Sequence, residues 1–204
     1  MDTKINHEES LALINEMIHQ ARNNFQKERR HPILLFWGYM VACTALANFV
    51  LLHILNNPNH SFGVWLIMIP CWGISHLIGK NVDRTVLVKT HLDAIGNMLW
   101  RGYLIGIFVF LIIIYVITFR THNYNVMLLI NPVIMCIIGI CEFVSARIYR
   151  YKLWYWIALI FWLGAILCTF LNGDLQFIVL AICMILGYVV PGHLLNYQAK
   201  KNHV

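Results

Sequence analysis

Six apolar stretches, each close to the ~20 residues a helix needs to cross a bilayer, occupy most of this chain. They run approximately over 33–55, 61–79, 102–119, 125–146, 153–171 and 175–197. Lipid offers no partner to a backbone N–H or C=O, so stretches of this length satisfy themselves as helices. The expected fold is an all-α integral membrane protein, a six-transmembrane-helix bundle. Composition agrees, because only 12% of residues are charged, about half the usual share in soluble domains. Residues 1–31 precede the spans, and 32–204 form one membrane domain with no room for a separate soluble enzyme domain.

The placement of charge sets an orientation. With the N-terminus inside, 14 of the 15 Lys and Arg residues fall on the inner side and only Arg120 lies outside. Such a bias predicts a multi-pass cell-membrane protein with both termini in the cytoplasm. It also accounts for the net charge of +6 without nucleic acid, since the basic residues are scattered along a membrane face. Trp37, Trp65, Trp100, Trp154 and Trp156 lie near span ends, where an interfacial aromatic belt belongs. The outer connections are stubs (NNPNH, RTHNY, NGD), too short for an ectodomain.

The inner side carries more. Residues 6–31 read as an amphipathic cytoplasmic helix: Asn6 and Glu9 resemble a capping box, and Leu11, Ile14, Ile18, Ala21 and Phe25 step by three and four. That stripe is a candidate docking surface for a cytoplasmic protein, a second copy of the chain, or the bilayer itself. Between spans 2 and 3, Val88, Leu92, Ile95 and Leu99 repeat the spacing and predict an interfacial helix over about 82–99 that runs into span 3. The polar first 30 residues do not have the pattern of a cleavable signal.

Three ionisable residues inside the spans are the candidates for chemistry. Glu142 is the only charge between Met127 and Ala146, and a carboxyl within a membrane segment is a functional-site candidate by its cost. It lies ~7.5 Å short of Arg147 along the helix. Counted the same way, His76 and His193 lie ~6–8 Å inside the cytoplasmic boundary. Two imidazoles and a carboxylate match the ligands of several catalytic metal sites, and equally a proton relay or three side chains reaching for the interface. No HExxH or similar local spacing selects the metal, so no metal or other cofactor is assigned.

Helix breaks give a second set. Pro191 removes the donor for the carbonyl of Gly187, and Asn131-Pro132 makes a similar break in span 4. Each returning span carries a proline (Pro70, Pro132, Pro191), a weak rhythm without any familiar repeat period. Thr44 and Asn48, with His53, form a polar line on span 1, and Gly102 and Gly106 form a GxxxG on span 3. All six cysteines fall in apolar segments without a CxxC, and read as small buried hydrophobes.

Walker, GxGxxG, GxSxG, HExxH and CxxCH motifs are absent from the sequence. The expected function is that of a non-enzymatic membrane component acting through its cytoplasmic face as regulator, sensor or assembly partner. Two alternatives stand beside it: a small transporter or channel using the proline-broken even-numbered spans, and an intramembrane metal site or enzyme at His76, Glu142 and His193.

Overall fold

The computed structural model describes residues 11, 31–54, 62–84, 91–149 and 151–201, and every regular element among them is helical. Helix α1 covers His31–Ile54, α2 Met68–Arg84, α3 His91–Thr121, α4 Ile130–Tyr149 and α5 Leu153–Cys168. Helix α6 begins at Gly173–Met184, passes through a π turn at Ile185–Val189, and continues as Val190–Lys201. Five helices, α2 counted together with the turn that leads into it (Gly63–Lys80), are long and apolar enough to cross a membrane, which by composition suggests a membrane location. The sixth, α5, is apolar but has only 16 residues. The expected span 153–171 ends early because Thr169, Phe170 and Leu171 tighten into i→i+3 bonds to Ile166, Leu167 and Cys168.

One other boundary moved for a physical reason. The helix expected near 82–99 and span 3 are one rod from His91 onward, since no proline interrupts them. At 31 residues that rod is ~46 Å long, well beyond a ~30 Å hydrocarbon core. Residues 85–90 lie outside the described residues. So does the N-terminal stripe, except for Leu11, which is exposed.

The prolines share one structural solution. Pro70 and Pro132 each occupy the third residue of an α-helix that follows a six-residue 3₁₀ turn, Phe62–Ile67 and Tyr124–Leu129. Pro191 is the second residue after the π turn. A proline in the first turn of an α segment lacks the N–H that the preceding turn needs for i→i+4 bonding. The preceding turn therefore tightens to i→i+3 twice and widens to i→i+5 once, as in Val190 N–H to Ile185 C=O.

Neighbouring helices run antiparallel, with α2 on α1, α1 on α6, α6 on α5, α5 on α4 and α4 on α3. Of the α6 span 61% of residues are buried, against 6% for α2 and 11% for α3. So α1, α4, α5 and α6 make the core, and α2 and α3 flank it. Exposed Lys80, Arg101, Arg147 and Lys152 all lie at one end of the bundle, where α2 and α4 end and α3 and α5 begin.

Lipid tails are as apolar as leucine, so close packing rather than water exclusion selects helix contacts in such a bundle. The core glycines serve that packing. A Cβ on Gly38 would meet Val189 and the backbone of the π turn at 2.9–3.2 Å. One on Gly187 would meet the ring of Phe161 at 2.8 Å, and one on Gly192 would meet Leu35 at 2.7 Å. A Cβ on Gly139 would collide with the indole of Trp162, which donates from Nε1 to the carbonyl of Cys136 at 3.3 Å.

Candidate functional site

Glu142 projects from α4 into the core and is fully buried. Its Oε1 accepts a hydrogen bond from the Tyr188 hydroxyl at 2.6 Å, a short contact of the kind a carboxyl oxygen forms with a phenol. Tyr188 belongs to the π turn of α6. The sequence builds this meeting locally. Gly187 lets Phe161 of α5 press against the turn, and the Phe161 and Tyr188 rings pack edge to face with centroids 5.4 Å apart. On the opposite side Gly38 of α1 leaves room for Tyr188, whose Cβ would lie 3.0 Å from a Cβ at position 38. Held from both flanks, the phenol has little freedom to leave the carboxyl.

Other polar groups approach the pair. Tyr103 of α3 and Cys141 of α4 lie within electrostatic range of Glu142. Ser145, three residues on along α4, is fully buried, and its hydroxyl has no hydrogen-bond partner among the described residues. Tyr103 and Cys141 also floor a shallow apolar groove of about 430 Å³ between α3 and α4, rimmed by Gly102 and Gly106. Those two glycines are exposed, and nothing lies within 4 Å of a Cβ built on either.

The histidines have other partners. His193 is exposed, with its Nε2 2.7 Å from the Tyr39 hydroxyl of α1. His76 is exposed on α2, its ring stacked on Trp72 at 6.3 Å. Helices α4 and α6 run in the same direction, so the Glu142–Tyr188 bond fixes their relative level. His193 stands five residues beyond Tyr188, ~7.5 Å nearer the basic end than the carboxyl. Counting from Gln198 gives a different depth because α6 runs on past the end of α4. His76 is near the right level, since Trp37 Nε1 donates to the adjacent Ser75 at 2.9 Å, but α1 stands between α2 and the core. Helices α4 and α6 thus converge, while α2 packs mainly on α1. Among the described residues no three of His, Cys, Asp and Glu are grouped to hold a metal ion.

The remaining candidates take structural positions. Asn131 and Pro132 are buried in the first turn of α4. Thr44 is buried and donates to the Met40 carbonyl at 2.7 Å within its own helix, and Asn48 is fully buried one turn further. Sequence reasoning missed Gln176, a buried side chain whose Nε2 donates to the Cys168 carbonyl at 3.0 Å and ties the α5–α6 turn together. It also missed Tyr188. A tyrosine in mid-span, needing a partner for its hydroxyl, was the available signal.

Comparison with protein-family models, with curated proteins and with solved structures finds no match. The chemistry of the site therefore stands on its own geometry. A carboxyl and a phenol joined by one bond, walled by Phe161 and the π turn, hold three core elements in register.

Proposed function

We propose that this chain is a six-span cell-membrane protein with both termini in the cytoplasm, acting as a non-enzymatic regulator, sensor or assembly partner through its cytoplasmic face. The observation that carries this reading is the sealing of Glu142, fully buried and bonded to Tyr188. The most suggestive acid of the spans is consumed by the protein itself. The grouping of exposed Lys80, Arg101, Arg147 and Lys152 toward one end supports the orientation.

The working surface is then the start of α3 together with the stripe Leu11, Ile14, Ile18, Ala21 and Phe25. Removal of residues 1–30 tests it. The truncated protein is expected to insert and fold normally, by protease protection and size-exclusion elution, while a photo-crosslinker at Arg101 loses a discrete protein adduct that the full chain gives. Unchanged crosslinking at Arg101 after truncation overturns the proposed role of the stripe.

One observation favours transport as a second reading: a π turn, a backbone irregularity frequent at functional sites, carries the phenol that meets the carboxyl. In proteoliposomes that reading requires Glu142→Gln to change the flux of protons or small ions. Equal flux in wild-type and variant vesicles, both at the leak level, removes it.

A further inference from the structure

We propose that Met135, Cys168 and Cys183 form a site for one soft monovalent cation of the copper(I) class, where α4, α5 and α6 cross. The three side chains come from three different helices and are 0%, 0% and 5% exposed. The Cys168 Sγ lies 3.8 Å from the Met135 Sδ, its thiol hydrogen directed at the thioether. Gly164, one turn earlier on α5, makes room for two of the three side chains. A Cβ there would collide with both the Cys183 Sγ and the Met135 Cε, so the side chains from α4 and α6 are drawn into the space that glycine leaves. The Cys183 thiol donates to the Ile160 carbonyl at 3.7 Å.

The donor set selects the ion. Thiolate and thioether sulfurs are soft ligands that favour copper(I). Zinc prefers four ligands, commonly including imidazole or carboxylate, and no such grouping of His, Cys, Asp and Glu occurs among the described residues. Metal–sulfur bonds of about 2.3 Å, as thiolates make to zinc, would set the sulfurs of a trigonal site roughly 4 Å apart. The 3.8 Å between Cys168 and Met135 matches that spacing.

Charge points the same way, since net charge in an apolar interior is costly. A monovalent cation that displaces the Cys168 proton leaves a neutral unit: one positive ion, one thiolate, one thiol at Cys183 and one thioether at Met135. One proton is released per ion bound, the copper stays monovalent, and no electron moves. Gln176, holding the Cys168 carbonyl, fixes the end of α5 against which the ion would seat.

Full-length protein in detergent, reduced and kept anaerobic, is titrated with copper(I) in competition with a chromogenic copper(I) chelator, and in parallel with silver(I). The parent carries alanine at Cys43, Cys71, Cys136 and Cys141, so that only the proposed thiols remain. One ion per chain is expected, with near-ultraviolet thiolate-to-copper absorption and an X-ray absorption spectrum of sulfur neighbours only. Cys168→Ser is expected to weaken binding at least about 100-fold, and Met135→Leu, which conserves volume, about 10-fold. Binding that survives Cys168→Ser and Cys183→Ser together, nitrogen or oxygen neighbours, or no bound ion overturns the proposal. Should a serine variant fail to elute as the folded protein, Met135→Leu and the absorption spectrum of the parent decide the matter.

Discussion

The core helices and the flanking helices spend their glycines differently. In α1, α4, α5 and α6, the glycines at 38, 139, 164, 187 and 192 each lie where a Cβ would run into a neighbouring helix. In α2 and α3, Gly73, Gly102 and Gly106 meet nothing within 4 Å. The same residue type thus marks tight contacts at those core positions and open space at these three flanking ones, while Gly79 of α2 makes only an ordinary contact with Ile33 at 3.9 Å. Exposed side chains follow suit: Ile105, Phe108 and Phe119 of α3 are all more than 60% exposed, which suits lipid and would be a liability in water. Fixed polar pairs occur chiefly where the glycines have drawn helices together.

The largest expected effect breaks that contrast directly. Gly38→Val is predicted to destabilise the bundle by about 1–3 kcal/mol through overpacking against the π turn, whereas Gly102→Val changes stability by less than about 0.5 kcal/mol. Unfolding midpoints in mixed detergent measure both, and equal losses would erase the distinction between core and flank. Next in size is the buried pair. Tyr188→Phe and Glu142→Gln, combined in a double-mutant cycle, are expected to give a coupling of about 1–3 kcal/mol; additive effects would mean the 2.6 Å bond contributes little.

Gln176→Leu should cost about 1 kcal/mol by removing its side-chain bond to the Cys168 carbonyl, which then keeps only the Leu171 N–H, and hydrogen exchange at residues 169–173 should rise. The smallest effect belongs to His53 and Asp174, 3.7 Å apart with side chains 56% and 36% exposed. Asp174→Asn is expected to shift stability by no more than about 0.5 kcal/mol, and raised salt should shrink that further.

Much of the fold was legible because hydrophobic length is a one-dimensional property of the chain. The apolar stretches appear as apolar helices, and the prolines mark the places where regular bonding changes. The site was legible only in part. Glu142 announces itself as a charge among apolar residues, but its partner depends on which helices adjoin, and apolar pattern does not encode lateral order. Depth counting misled for His193 because it measures from the end of each helix, and helices that project by different amounts have no common zero. Gln176 and the sulfurs of Met135, Cys168 and Cys183 look ordinary along the sequence. Only Gly164 on the intervening helix brings two of those sulfur side chains together.

The π turn has a consequence for anyone scanning α6 by labelling or cross-linking. One residue more than an α-helical turn sets the stretch after Val189 out of phase with the stretch before Ile185 by ~100°. A helical wheel drawn through all of Gly173–Lys201 therefore superimposes two faces that point in different directions. Accessibility measured residue by residue should follow one periodic wave to Met184, slip by a residue, and resume from Val190 with its crest displaced. The helix is a screw with a shifted thread, and deleting one residue from the turn should restore plain α-helical bonding while leaving everything beyond it, His193 included, on its present bearing.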